Sequence, residues 1–131
     1  MIIRSVAIAF AVTASLLLVS DVQAVGLPDM TFEEQVAEAD AVVVASTWSR
    51  GSDGEPRLDA TGQMELTRMR ILRVLKGDES MKALDLVTEG SLVEHDPHCC
   101  DPRRVYILLL RQGRDNMFEV VNGHHSAIAV S

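Results

Sequence analysis

Residues 91–112 read SLVEHDPHCCDPRRVYILLLRQ, a polar loop punctuated by prolines that runs straight into the apolar stretch Val105 to Leu110. This junction constrains the fold more than any other part of the chain. The apolar stretch predicts a buried strand over Val105 to Arg111, rich in residues that favour extended backbone. The loop before it holds both cysteines, Cys99 and Cys100, and two of the four histidines, His95 and His98. A buried strand needs neighbours, so the remaining segments are read for what can pair with it.

Ala41 to Ala45, continuing to Trp48, is β-branched and reads as a strand buried on both faces. Gly51 to Gly62 carries turn formers and charge and reads as a long surface loop. Met64 to Leu75 reads as a long strand. Both its faces are partly apolar near the end, as a bent barrel strand requires. Residues 66–75 also admit a helical reading, because short apolar runs are ambiguous. Lys76-Gly77-Asp78 turns the chain, and Ala83 to Thr88 alternates as a third strand. Met117 to Val121 forms a hairpin with the strand before it, and Ala127 to Val130 adds a short last strand. Ahead of them all, Thr31-Phe32-Glu33-Glu34 is a capping box. It opens a helix that ends near Ala39 or Asp40 and packs through Phe32, Val36 and Ala39. The sum is an all-β chain with one short N-terminal helix. Short spacings and turn signals predict a five- to six-stranded antiparallel barrel. Its core is expected at Val42, Val44, Ile71, Val74, Leu86, Tyr106, Leu108 and Leu110.

The N-terminus reads as a secretory signal. Arg4 precedes an uncharged apolar run from Ser5 to Ser20, and Val22-Gln23-Ala24 offers a cleavage site after Ala24. The run is short for a membrane span. The mature domain is then residues 25–131, periplasmic or secreted, with no membrane attachment after cleavage. Removing Arg4 and Asp21 leaves 11 bases and 18 acids, so the net charge stays at −7. Such a balance repels nucleic-acid phosphates, and no basic stripe opposes it. Two cysteines are too few for a disulfide scaffold, so an apolar core must hold the fold.

The order AEADAVVVASTWS, a strand ending RVLKG, a loop reaching cysteine and then RVYILLL resembles the netrin-like domain of tissue inhibitors of metalloproteinases and of its bacterial secreted relatives. The likeness covers roughly Asp40 to Val121. It implies a five-stranded oligonucleotide/oligosaccharide-binding (OB) type barrel, a recognition module more often than an enzyme. The zinc-ligating N-terminal cysteine of those inhibitors has no counterpart here, since no cysteine precedes Cys99.

Chemistry concentrates in the cysteine loop. Adjacent Cα atoms lie about 3.8 Å apart across a trans peptide, short of the roughly 4.4–6.8 Å of an ordinary disulfide. Three fates follow for Cys99 and Cys100: a vicinal disulfide, a pair of metal-binding thiols, or a bridge between two chains that makes a dimer of a monomer. His95, His98, Cys99 and Cys100 are ligands suited to zinc or copper. Their spacing is not that of a zinc ribbon. His124 and His125 could complete a site only if the tail folds back over the loop. No nucleophile–base–acid order, phosphate-cradling glycine loop or HExxH helix is present. Asp96 and Asp101 each precede a proline and read first as turn signals. Trp48 and Tyr106 read as strand-face residues rather than a base-stacking platform. The expectation is therefore a non-catalytic exported module without cofactor, binding an unidentified protein or small ligand. Its alternative is a zinc- or copper-binding protein built on the cysteine loop.

Overall fold

The computed structural model describes residues 29–48, 56–90 and 92–130. The predicted signal over residues 1–24 lies outside them. Helix α1, Phe32–Glu38, opens as the capping box requires. The Glu34 N–H donates to Thr31 Oγ1 at 3.1 Å, and the Thr31 hydroxyl donates in turn to the Glu34 carboxylate. The strands are β1 (Ala41–Thr47), β2 (Arg57–Leu58), β3 (Glu65–Lys76), β4 (Ala83–Glu89), β5 (Tyr106–Gln112), β6 (Met117–Val120) and β7 (Ala127–Ala129).

Hydrogen bonding joins β1, β3, β4, β6 and β5 in that order, and β1 pairs with β5 to close a ring of five strands. The long strand β3 belongs to two walls. Its first half pairs with β4 from Glu65 to Arg70, and its second half pairs with β1 from Met69 to Lys76. Two register shifts interrupt the β1–β3 ladder, between Val42 and Val43 and between Val44 and Ala45, and bulges of this kind bend a strand. The outer edge of β5 is likewise shared, between β7 at Tyr106–Leu108 and β6 at Leu110–Gln112.

Residues of one parity fill the ring: Ala41, Val43 and Ala45 from β1, Leu84 and Leu86 from β4, Tyr106, Leu108 and Leu110 from β5. A second cluster lies under the helix, where Val36 and Ala39 meet Val42 and Leu109. A third, smaller one joins Leu66, Val87 and Met117, with Met64 packed against it.

Four expectations are corrected. The sheet is mixed rather than antiparallel, because β4 and β6 run parallel at Asp85–Met117 and Leu86–Phe118. The predicted surface loop over Gly51 to Gly62 contains β2, which pairs with the start of β3; its first five residues lie outside the described ones. Of the three residues expected to pack the helix, Val36 and Ala39 do, with Gln35 buried beside them, but Phe32 is left 48% exposed. Val44 and Val74 are only half-buried: the helix covers the outer face of β1 at Val42 but not at Val44, and Val74 lies on β3 beyond Arg70, where its pairing with β4 ends. The other six predicted core residues are buried. Residues 66–75 are strand, not helix.

The Lys76-Gly77 turn anchors the helix. Lys76 Nζ donates to the carbonyls of Val36 (2.8 Å) and Ala37 (3.3 Å), giving a cation to the C-terminal end of α1. Gly77 has φ +107°, and a Cβ there would stand 3.0 Å from the Asp40 carbonyl, so the turn needs glycine.

Candidate functional site

Between β4 and β5 the chain leaves the ring over positions 90–105, and short-range polar bonds hold this excursion. Val93–His95 is a single 3-10 turn closed by the Asp96 N–H onto the Val93 carbonyl at 3.1 Å. Asp96 and Pro97 after it are buried. Asp96 turns its carboxylate back to accept from the Gly90 N–H at 2.8 Å. Pro97 inserts fully, and His98 then takes φ +52°, a left-handed conformation that histidine tolerates better than most residues. Cys99 and Cys100 are joined to each other by a disulfide across a cis peptide and pack against the ring core. The Asp101 N–H donates to the Tyr106 hydroxyl at 2.8 Å, which ties the loop to the buried first residue of β5. Arg103 donates to the Asp101 carboxylate from its backbone N–H and its guanidinium; these bonds hold the Asp101 carboxyl below the usual aspartate range.

The C-terminal tail does fold back onto this loop. Gly123–Ser126 forms another 3-10 turn, and the His124 ring stacks on His98 at 5.5 Å between centroids, with His125 at 4.0 Å from His124. A buried polar chain fixes the turn. The Asn122 N–H donates to Ser126 Oγ at 2.7 Å, and the Ser126 hydroxyl donates to Gln35 Oε1 of helix α1, also at 2.7 Å. Three distant segments, the helix, the loop and the tail, are thereby set around one space.

That space is a cleft of about 480 Å³ walled by helix α1, the start of β3, the end of β4, the turn at 92–96 and β6. Its apolar floor includes Met64 and Val87 of the third cluster, Val120 of β6 and Val121 just after it. Five carboxylates face it, from Asp29, Glu34, Glu38, Asp96 and Glu119, against one guanidinium, Arg111, which is paired with Glu38 at 3.1 Å. Asp96 is the deepest of these by burial, at 9% exposure. One of its oxygens is taken by Gly90; the other makes no hydrogen bond among the described residues.

The four residues read as metal ligands point to different surroundings. His95 lines the cleft, His98 faces the tail histidines, and the two sulfurs are bonded to each other. Among the described residues no three His, Cys, Asp or Glu side chains gather as a metal site would require. Trp48, expected on a strand, lies one residue past the end of β1, half-buried, with the Arg70 guanidinium over its ring at 4.9 Å. Reading the sequence misses the cleft itself. Asp96 carried only a turn signal there, and nothing local marks Gln35 and Ser126, 91 positions apart, as partners. No protein-family model, curated protein or solved structure matches the chain.

Proposed function

We propose that the protein is an exported, non-catalytic binding module of OB-like build, and that the cleft under helix α1 is its ligand seat. The observation that carries this reading is the cleft: a concavity of about 480 Å³ with an apolar floor and a few converging charged groups. Small-ligand sites have this character and fall at roughly 300–1,000 Å³. The OB-like part rests on the closed five-strand ring and on the netrin-like order of motifs; barrels of that kind serve mainly in recognition. Export rests on the apolar run at Ser5 to Ser20 and the Val22-Gln23-Ala24 site.

The test uses ¹⁵N-labelled mature protein recovered from the periplasm, whose mass should begin at Val25. A panel of small cationic, neutral and anionic compounds is added and amide shifts are followed. Compounds that bind should move Gly90, Val120 and Val121 together. Shifts confined to other surfaces, or none with any compound, would overturn the assignment of the cleft.

A further inference from the structure

The outer face of the wall made by β3, β1, β5 and β7 is only partly covered. The ladders set a row of side chains across it: Arg73 stands against Val44, Val44 against Ile107 and Ile107 against Ile128. Side chains paired in this way share one face of the sheet. The β1–β3 register skips Leu72, so Leu72 and Arg73 together oppose Val44, and both are exposed, Leu72 to 52%. Two positions along β1, Arg70 stands against Ser46. At the far end the Val130 N–H donates to the Val105 carbonyl at 2.8 Å, and Val130, 49% exposed, follows Ile128 on the same side. Helix α1 covers this face at Val42 and Leu109 but leaves Val44 half-buried.

Charge sets the face apart. The chain has a net charge of −7, yet no carboxylate answers Arg70 or Arg73. Arg57, Arg68, Arg103 and Arg111 are each paired with an acid. Arg73 has no hydrogen bond or ion pair among the described residues, and Arg70 has only the Trp48 ring beneath its guanidinium. Arginine and tryptophan beside open aliphatic surface match the make-up of protein interfaces. The two arginines oppose β1 residues two positions apart, roughly 6–7 Å along the strand, which is also the spacing of alternate side chains on an extended peptide.

We infer that this face binds an acidic, apolar segment of a partner protein, with two carboxylates on Arg70 and Arg73 and aliphatic side chains on Val44, Ile107 and Val130. A short segment meets only the local cations, because charges more than about 8 Å away are screened at physiological salt. A wide anionic surface such as a membrane would also meet the rest of a chain that is negative overall. A second copy would bring the same uncompensated arginines to both sides of a two-fold contact. None of the residues on this face lines the cleft, so the two surfaces are tested separately.

The experiment titrates the ¹⁵N-labelled mature protein at fixed ionic strength with acetyl-Glu-Leu-Glu-Leu-amide and with the same peptide carrying glutamine or lysine in place of glutamate. The glutamate peptide should shift the Val44, Arg73 and Ile107 amides and bind at least about threefold tighter than the glutamine peptide, the effect of two exposed ion pairs. The lysine peptide should bind weakest. The double variant Arg70→Gln with Arg73→Gln, both at exposed positions, should erase the preference for glutamate over glutamine. Arg114→Gln, in the β5–β6 turn, should leave that preference intact. Equal or tighter binding of the glutamine or lysine peptide at these amides overturns the acidic partner. No shift there with any peptide, or shifts confined to Gly90, Val120 and Val121, overturns the face as a docking surface, while the cleft stands or falls by its own panel. If the same amides move on dilution of the protein alone, the face belongs to a second copy. If the protein sediments with phosphatidylglycerol vesicles and the double variant does not, it belongs to a lipid surface. Either result overturns the proposal.

Discussion

The β1–β5 seam and the wall of the cleft are built by opposite means. At the seam, Ala41 to Ala45 run against Tyr106 to Leu110 in one unbroken register, and the side chains that point inward are aliphatic apart from Tyr106. Each contact there is non-directional, and neighbouring residues in sequence supply it together. Around the cleft, the buried polar groups are Asp96, which lines it, and Gln35, Asn122 and Ser126 behind it, each positioned by hydrogen bonds. Those bonds demand particular atoms at particular distances, from segments far apart in the chain. The seam is therefore tolerant in detail but costly to empty. The wall is cheap to build but fails when one atom is lost, because its partner is then buried unsatisfied.

The sharpest way to break the contrast is at the seam. Leu108 is fully buried in the ring cluster. Leu108→Ala should cost about 2–5 kcal/mol, the transfer term plus the cavity left behind. Chemical denaturation measures this against Leu72→Ala on the exposed side of β3, 52% exposed, which should stay within about 0.5 kcal/mol of wild type. Equal midpoints for the two variants would remove the ring interior as the source of stability.

A smaller loss is expected from the wall. Ser126→Ala takes the hydroxyl that accepts from the Asn122 N–H and donates to Gln35. It should cost about 1–3 kcal/mol, the range for leaving a buried group without its partner. Its signature is local: faster amide exchange in helix α1 and at Gly123–Ser126, with β1 and β5 protected as before. Uniform loosening of ring and helix together would show that the wall is not a separable unit.

The smallest effect concerns Asp101. The Arg103 guanidinium, with the Arg103 N–H, stabilises its ionised form and depresses its folded pKa. The stabilisation is present above the carboxyl's unfolded pKa and is lost as pH falls through the depressed folded value. Asp101→Asn should therefore lower stability slightly at neutral pH, where the ionised carboxylate contributes, leave it unchanged below the depressed folded value, and so flatten the acid-side slope. Because the group is exposed and screened, the change is small. A carboxyl titration of Asp101 in the usual aspartate range, read by side-chain NMR, would sink this prediction.

Much of the ring is legible in the chain because strand propensity and burial are local. The runs at Ala41, Met64, Ala83, Val105, Met117 and Ala127 each begin within a residue of an observed strand. The Thr31 box opens the helix at the expected residue, since a cap is settled by three neighbouring side chains. Parity was harder. Val42 and Val44 look equivalent to Val43 in a β-branched run, and only the position of the helix decides that Val42 is covered and Val44 is not. Phe32 was misread for the same reason, as an apolar residue at helical spacing tells which residues can pack but not which face meets the sheet.

By itself, then, the sequence determined the strands other than β2, the capped helix, the acidic balance, and the adjacency of two cysteines that leaves a vicinal disulfide among few choices. These follow from interactions between residues a few positions apart. Tertiary structure alone decided the parallel meeting of β4 and β6, the closing of the ring by β1 on β5, and the return of the tail histidines to His98. It alone decided that Gln35 meets Ser126 and that Asp96 faces a cleft. Each of these depends on where the closing ring brings residues that are far apart in the chain. Polar side chains carry no periodicity to announce a partner, so only the assembled fold shows which of them are buried together.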